Sequence, residues 1–243
     1  MNKPSFTLNQ SQLKYIAVVC MFIDHVGYTF ANRMPHSLYM TMRCIGRTAF
    51  PIFAFMLVEG FFHTKNLKKH FILLLIFSVL SELPFDLMIS RKPFSLEYQN
   101  VMITLLLGLA GMTIMTRLPT TLRFTALIFP VIAELIHTDY GAVGVLTIYL
   151  FYLEAISRPE GLKHPESTEL LISLLPLFVH AVSVWRTEYA CLLSVPLLCL
   201  YNGQKGAQGK GGKYFFYFFY PAHLLLLGMS FQLLTSGHLW PQQ

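Results

Sequence analysis

The stretch "LKYIAVVCMFIDHVGYTF", residues 13–30, decides the fold class. Its apolar run extends to about residue 32, and roughly 20 helical residues span the hydrocarbon core of a bilayer. Asp24 and His25 stand side by side within it, roughly 16 Å from the start of the run at 1.5 Å per residue and so close to the midplane. Ionisable groups at that depth are expensive when they face lipid, so the pair must face protein, water or a substrate. Neighbouring helical positions point ~100° apart. Asp24 therefore does not orient His25, and each needs its own partner.

The rest of the chain agrees with a membrane reading. Hydrophobic residues make up 54% and charged residues 12%, with a mean hydropathy of +0.53, which excludes an ordinary soluble globule. Apolar runs predict spans near 13–32, 45–64, 70–90, 100–116, 121–137, 140–156, 168–185, 188–201 and 213–235. The expectation is an all-α bundle of about nine transmembrane helices forming a single transmembrane domain over 1–243. The first run is too long for a leader and carries a charge at its centre, so it reads as a retained span. With the N terminus inside, roughly twelve of the eighteen Lys and Arg fall on the cytoplasmic side, giving an N-in, C-out orientation. Topology then accounts for the net charge of +6 without nucleic acid. Cys20, Cys44, Cys191 and Cys199 show no C-x-x-C spacing and read as thiols rather than metal ligands. The absence of H-E-x-x-H and G-x-S-x-G argues against a zinc site or a serine hydrolase.

Further polar groups recur in the apolar runs. "RCIGRTAFPIF" sets Arg43 and Arg47 one turn apart, from where Arg47 is expected to reach Asp24. "VEGFFH" sets Glu59 and His63 at i, i+4, a spacing that lets a carboxylate hold an imidazole. "SELPFD" places Glu82 and Asp86 on one face around Pro84. Asn100 opens a later span, Glu134 and His137 close another, and Asp139 begins "DYG". In "KYFFYFFYPAHLLLL", Pro221 interrupts the hydrogen-bond ladder and His223 lies one turn from Tyr220. The stretch "NGQKGAQGKGGK", 202–213, brings Asn202, Lys205, Lys210 and Lys213 into a Gly-rich basic loop. Backbone amides and lysines there suit phosphate; a simple positive-inside loop is the other reading.

The blocks "MFIDHVG", "IGRTAFPIFAF", "VEGFFH", "SELPFD", "QNVMITLLLG", "DYGAVGVL", "LYNG" and "FYPAHLLLL", in that order, resemble the TraX family of bacterial integral membrane proteins over about residues 12–230. That resemblance implies a multi-pass protein of the bacterial inner membrane linked to N-terminal acetylation of pilin. A more distant likeness joins "LKYIAVVCMFIDH" and "AFPIFAFMLVEGFF" to the membrane acyltransferase-3 proteins, with His25 at their histidine and Arg47 at a basic residue of the next helix. Asp24 has no counterpart there, and Glu59 replaces a serine. Acetyl transfer from acetyl-CoA to an amine needs a base, an oxyanion donor and a site for phosphates. His25 is the expected base; Arg47, with Asn100 or a tyrosine hydroxyl, is expected to meet the oxyanion. Lys65, Lys68, Lys69, Lys205, Lys210 and Lys213 are expected at the carrier phosphates, with no metal required. A pilin-like peptide or glycan acceptor would pass Glu82, Asp86 and Asp139. The alternatives are a proton-coupled transporter, with Asp24, Glu59, Glu82 and Glu134 as relay groups, and a non-catalytic pilus assembly factor.

Overall fold

The computed structural model describes residues 6–158, 161–183, 186–206 and 212–236, without the side chains of 180, 182, 183, 186, 213 and 236. Among these residues the regular structure is helical: α1 (Gln10–Thr29), α2 (His36–Gly46), α3 (Ala49–His63), α4 (Leu67–Ile89), α5 (Val101–Arg117), α6 (Ile128–Leu135), α7 (Gly141–Ser157), α8 (Ser167–Ser173), α9 (Leu175–Ser183), α10 (Ser194–Cys199) and α11 (Gly212–Ser236). Three stretches, 36–63, 67–89 and 214–235, are long and apolar enough to cross a membrane. α4 turns Ile72, Leu75, Ile76, Val79, Leu80 and Leu83 outward, a contiguous apolar face that suits lipid rather than water.

Five expected spans, 13–32, 70–90, 100–116, 140–156 and 213–235, correspond to single continuous helices. The others are interrupted. Residues 120–127 and 186–193 are 3₁₀-helical ahead of α6 and α10, and 168–185 divides at Leu174 into α8 and α9. Of these short α-helices, α6, α9 and α10 each have a proline in the first turn: Pro130, Pro176 and Pro196. Proline is accepted there because its missing N–H would have no intrahelical acceptor, whereas farther along it breaks the ladder. Hydropathy cannot register that break, since proline does not disturb an apolar run.

α3 lies at the centre, against α1, α5 and α7. Ile52, Ala54, Phe55 and Val58 are fully buried, and so are most of their neighbours, as expected of a helix that is apolar all round. α11 runs along α4 and also meets α1, so the last long helix closes back onto the first. At the head of α1 the Asn9 side chain accepts from Gln12 N–H and the Gln12 side chain from Asn9 N–H, a reciprocal cap. Segment 200–206 lies over this end, where the amides of Gln10 and Ser11 donate to the carbonyls of Gln204 and Lys205.

α5 begins deep in the molecule. Asn100, fully buried, caps Met102 N–H and donates its side-chain amide to the carbonyl of Ser78, midway along α4, at 2.9 Å. The same amide also meets Glu82 Oε1. The preceding loop is pinned by Asp86, which accepts from Ser95 N–H at 2.8 Å, and by an exchange between Gln99 and residues 137 and 139. Irregular backbone at such depth survives only where protein or a cavity satisfies it. Asn100→Ala removes a helix cap and leaves the Ser78 and Glu82 oxygens short of a donor, so we expect a loss of about 2–4 kcal/mol in unfolding in detergent. A loss under about 0.5 kcal/mol would mean that the start of α5 is held by something else.

Candidate active site

α1 presents two faces to two different partners. Asp24, 5% exposed, accepts from Arg43 at 2.7 Å and from Arg47 at 2.9 Å, both on Oδ2, and Arg47 also donates to Glu188 at 2.6 Å. Two guanidiniums and two carboxylates form a network with no net charge, the condition under which buried ions are tolerated. Gly46 makes the approach possible, since a Cβ there would overlap the Asp24 carboxylate. Arg47 is also 5.6 Å from the centre of the Tyr140 ring, which stacks on Phe50.

His25, one position on, faces α11. Its Nδ1 lies 2.7 Å from His223 Nε2, with the rings parallel within 9° and 5.0 Å apart. His223 Nδ1 is 2.7 Å from the carbonyl of Phe219. A carbonyl only accepts, so His223 carries its proton on Nδ1 and, when neutral, accepts on Nε2. His25 then donates from Nδ1, and the neutral imidazole keeps its lone pair on Nε2. The structure gives that nitrogen no partner among the described residues, which is the protonation pattern a general base requires.

A cavity of about 580 Å³ leads toward this pair. Its mouth carries Lys14, Lys65, Lys205 and His63, and its body is formed by Phe53, Met56, Leu57, Leu74, Leu105 and Phe216. At its inner end stand Met21, Val101 and Tyr220. Gln10, Lys14 and Met21 share one face of α1, and His25 is the next position on that face. His25 itself is not in the wall; Tyr220 connects the two, with its ring 6.4 Å from that of His25 and 5.7 Å from that of His223.

The TraX protein family model matches residues 9–230. The chain belongs to the TraX family. It is 33% identical over 229 residues to the "Probable fimbrial assembly protein FimC, serogroup H1" of Dichelobacter nodosus, covering 89% of this chain and 93% of that relative. No solved structure matches.

In this TraX-family chain the other expected site residues take varied places. Glu59 lines the cavity, accepts from the Tyr201 hydroxyl at 2.6 Å and lies 3.4 Å from His63 Nδ1. Glu82, Asp86 and Asn100 are engaged in holding the 90–100 loop and the head of α5. Asp139 has its backbone fixed by Gln99 and by the Thr104 hydroxyl. Lys65 and Lys205 reach the cavity mouth, whereas Lys68 and Lys69 are exposed on the first turn of α4 and outside its lining. Asn202 ties the 200–206 segment to Thr7 and Gln204. Lys210 and the side chain of Lys213 lie outside the described residues. Among the described residues no cluster of His, Cys, Asp or Glu could hold a metal ion.

Glu188 is the residue that sequence reasoning missed. One signal was available: two arginines facing one aspartate leave an uncompensated positive charge, which demands a second acid. Asp24→Asn unbalances the network and is expected to cost about 3–5 kcal/mol, read as a lower unfolding midpoint in detergent. Adding Arg47→Gln should recover part of it. Strictly additive losses would remove the pairing from this description.

Proposed function

We propose that this chain is an acetyltransferase embedded in the bacterial inner membrane, moving an acetyl group from cytoplasmic acetyl-CoA to an amine such as a pilin-like N terminus or another exported acceptor. The observation that carries the reading is the His25–His223 pair just beyond a cavity with an apolar body and a lysine-bearing mouth. We take the orientation as N-in and C-out with about nine spans, which puts Lys14, Lys65 and Lys205 on the side where the carrier is made.

The cavity follows α1 from Gln10 to Met21, roughly 16 Å at 1.5 Å per residue. An extended pantetheine arm suits such a passage, with carrier phosphates meeting the lysines at the mouth. The amine lone pair attacks the thioester carbonyl carbon, and the C=O π pair moves onto oxygen. His25 Nε2 takes the proton from the nitrogen. The carbonyl then re-forms, the C–S bond breaks, and the sulfur leaves with the proton returned by His25. His223 holds the donor tautomer of His25 in place and shares the charge while the proton is on loan. The ion network keeps α1 from rotating, so that His25 stays turned to α11.

A second reading, a non-catalytic pilus assembly factor, draws support from the name of the Dichelobacter relative. Turnover separates the two. With labelled acetyl-CoA and amine or glycan acceptors, His25→Ala should lower turnover by roughly 10²- to 10⁴-fold while acetyl-CoA affinity is retained. Wild-type protein that binds neither carrier nor transfers label would favour the assembly role. Lys65→Ala with Lys205→Ala should weaken carrier binding more at low salt than at high salt, because screening already removes the attraction at high salt; equal affinity at low salt would detach the mouth from the carrier. A C-terminal alkaline phosphatase fusion should be active and one at residue 206 inactive, and the reverse pattern would invert the orientation.

A further inference from the structure

The Tyr220 hydroxyl is a buried polar group that bonds to nothing among the described residues. Tyr220 is 4% exposed, and its oxygen has no hydrogen-bond partner among the described residues. Leaving a buried hydroxyl unpaired is costly, a loss that a group entering the cavity would offset. Val101, the first residue of α5, lines the same cavity as Tyr220. The first amides of a helix have no intrahelical acceptor; Asn100 takes up those of Met102 and Ile103. Val101 and Tyr220 both line the inner end of the cavity, beside the imidazole pair. The positive end of the α5 dipole is therefore presented at depth, where low dielectric strengthens it.

Of the groups that the sequence offered for the oxyanion, Arg47 and Asn100 are otherwise engaged, which leaves a tyrosine hydroxyl. Arg47 is bound to Asp24 and Glu188, and the Asn100 amide to Ser78 and Glu82. We propose that the Tyr220 O–H and the Val101 N–H form the oxyanion hole for the thioester carbonyl. This rests on the acyl-transfer reading and adds which atoms hold the charge. When the amine attacks and the π pair moves to oxygen, that oxygen accepts from both donors. Neither proton is transferred, and the hydrogen bonds weaken again as the C–S bond breaks.

The test uses full-length protein in detergent, wild type against Tyr220→Phe, with His25→Ala as comparator. Tyr220→Phe should lose about 10²- to 10³-fold in kcat with KM for acetyl-CoA nearly unchanged. Infrared difference spectra of bound carbonyl-labelled acetyl-CoA should show a lowered C=O stretch in wild type that moves back toward the free value in Tyr220→Phe. An unshifted stretch in wild type overturns the oxyanion hole, and this arm needs no folded variant. Near-wild-type kcat in Tyr220→Phe, with His25→Ala inactive, overturns the hole while acyl transfer stands. No transfer by wild type to any acceptor, with no carrier bound, overturns both.

Discussion

A carbonyl oxygen can only accept a hydrogen bond, and the chemistry proposed here depends on that constraint at Phe219. It fixes the proton on His223 Nδ1, which makes His223 Nε2 an acceptor and leaves the His25 lone pair on the far side of its ring. The two histidines are 198 positions apart, so nothing local holds them together. α11 has to be laid against α1. Aromatic contacts do much of this: Tyr15 with Phe215 and Phe216, Phe22 with Phe219, and Phe77 of α4 with Tyr217 and Phe218. Gly228 allows α11 to approach the backbone of α4 at Leu87 and Met88.

The ion network supplies the second half of the constraint. Asp24 and His25 diverge by ~100°, so clamping Asp24 to α2 determines where His25 points. The clamp works because Gly46 lacks a side chain and because Glu188 balances the second arginine. A neutral four-member cluster resists both lipid exposure and rotation, since moving any one member strands the charge of another. Position and basicity are thus handled by separate residues, one helical step apart.

Much of this was legible in the sequence, and the limits have physical causes. The depth of Asp24 in an apolar run called for a partner, and Arg47 was expected to reach it; the structure places Arg47 there and adds Arg43. The positions of the long helices followed from run length. The pairing of His25 with His223 did not, because sequence spacing says nothing about which distant helix returns to the first. Glu188 stood at the very start of an expected span, 188–201, and its spacing from Asp24 and the arginines carried no signal of their contact. Glu82 and Asp86 were expected along the route of the acceptor and Asn100 at the oxyanion, yet their hydrogen bonds hold a loop and a buried helix start, a use that residue type cannot distinguish from chemistry. Pro130, Pro176 and Pro196 interrupt runs whose hydropathy alone suggested unbroken spans.

The tautomer of His25 tests the central claim most directly. In full-length protein labelled with ¹⁵N-histidine, with His25→Gln and His223→Gln used to assign the signals, this account expects both neutral imidazoles to be protonated on Nδ1 and coupled across the pair. It also expects His25 Nε2 to appear as an unprotonated nitrogen. A neutral His25 protonated on Nε2, or an imidazole signal unchanged by loss of His223, would contradict it.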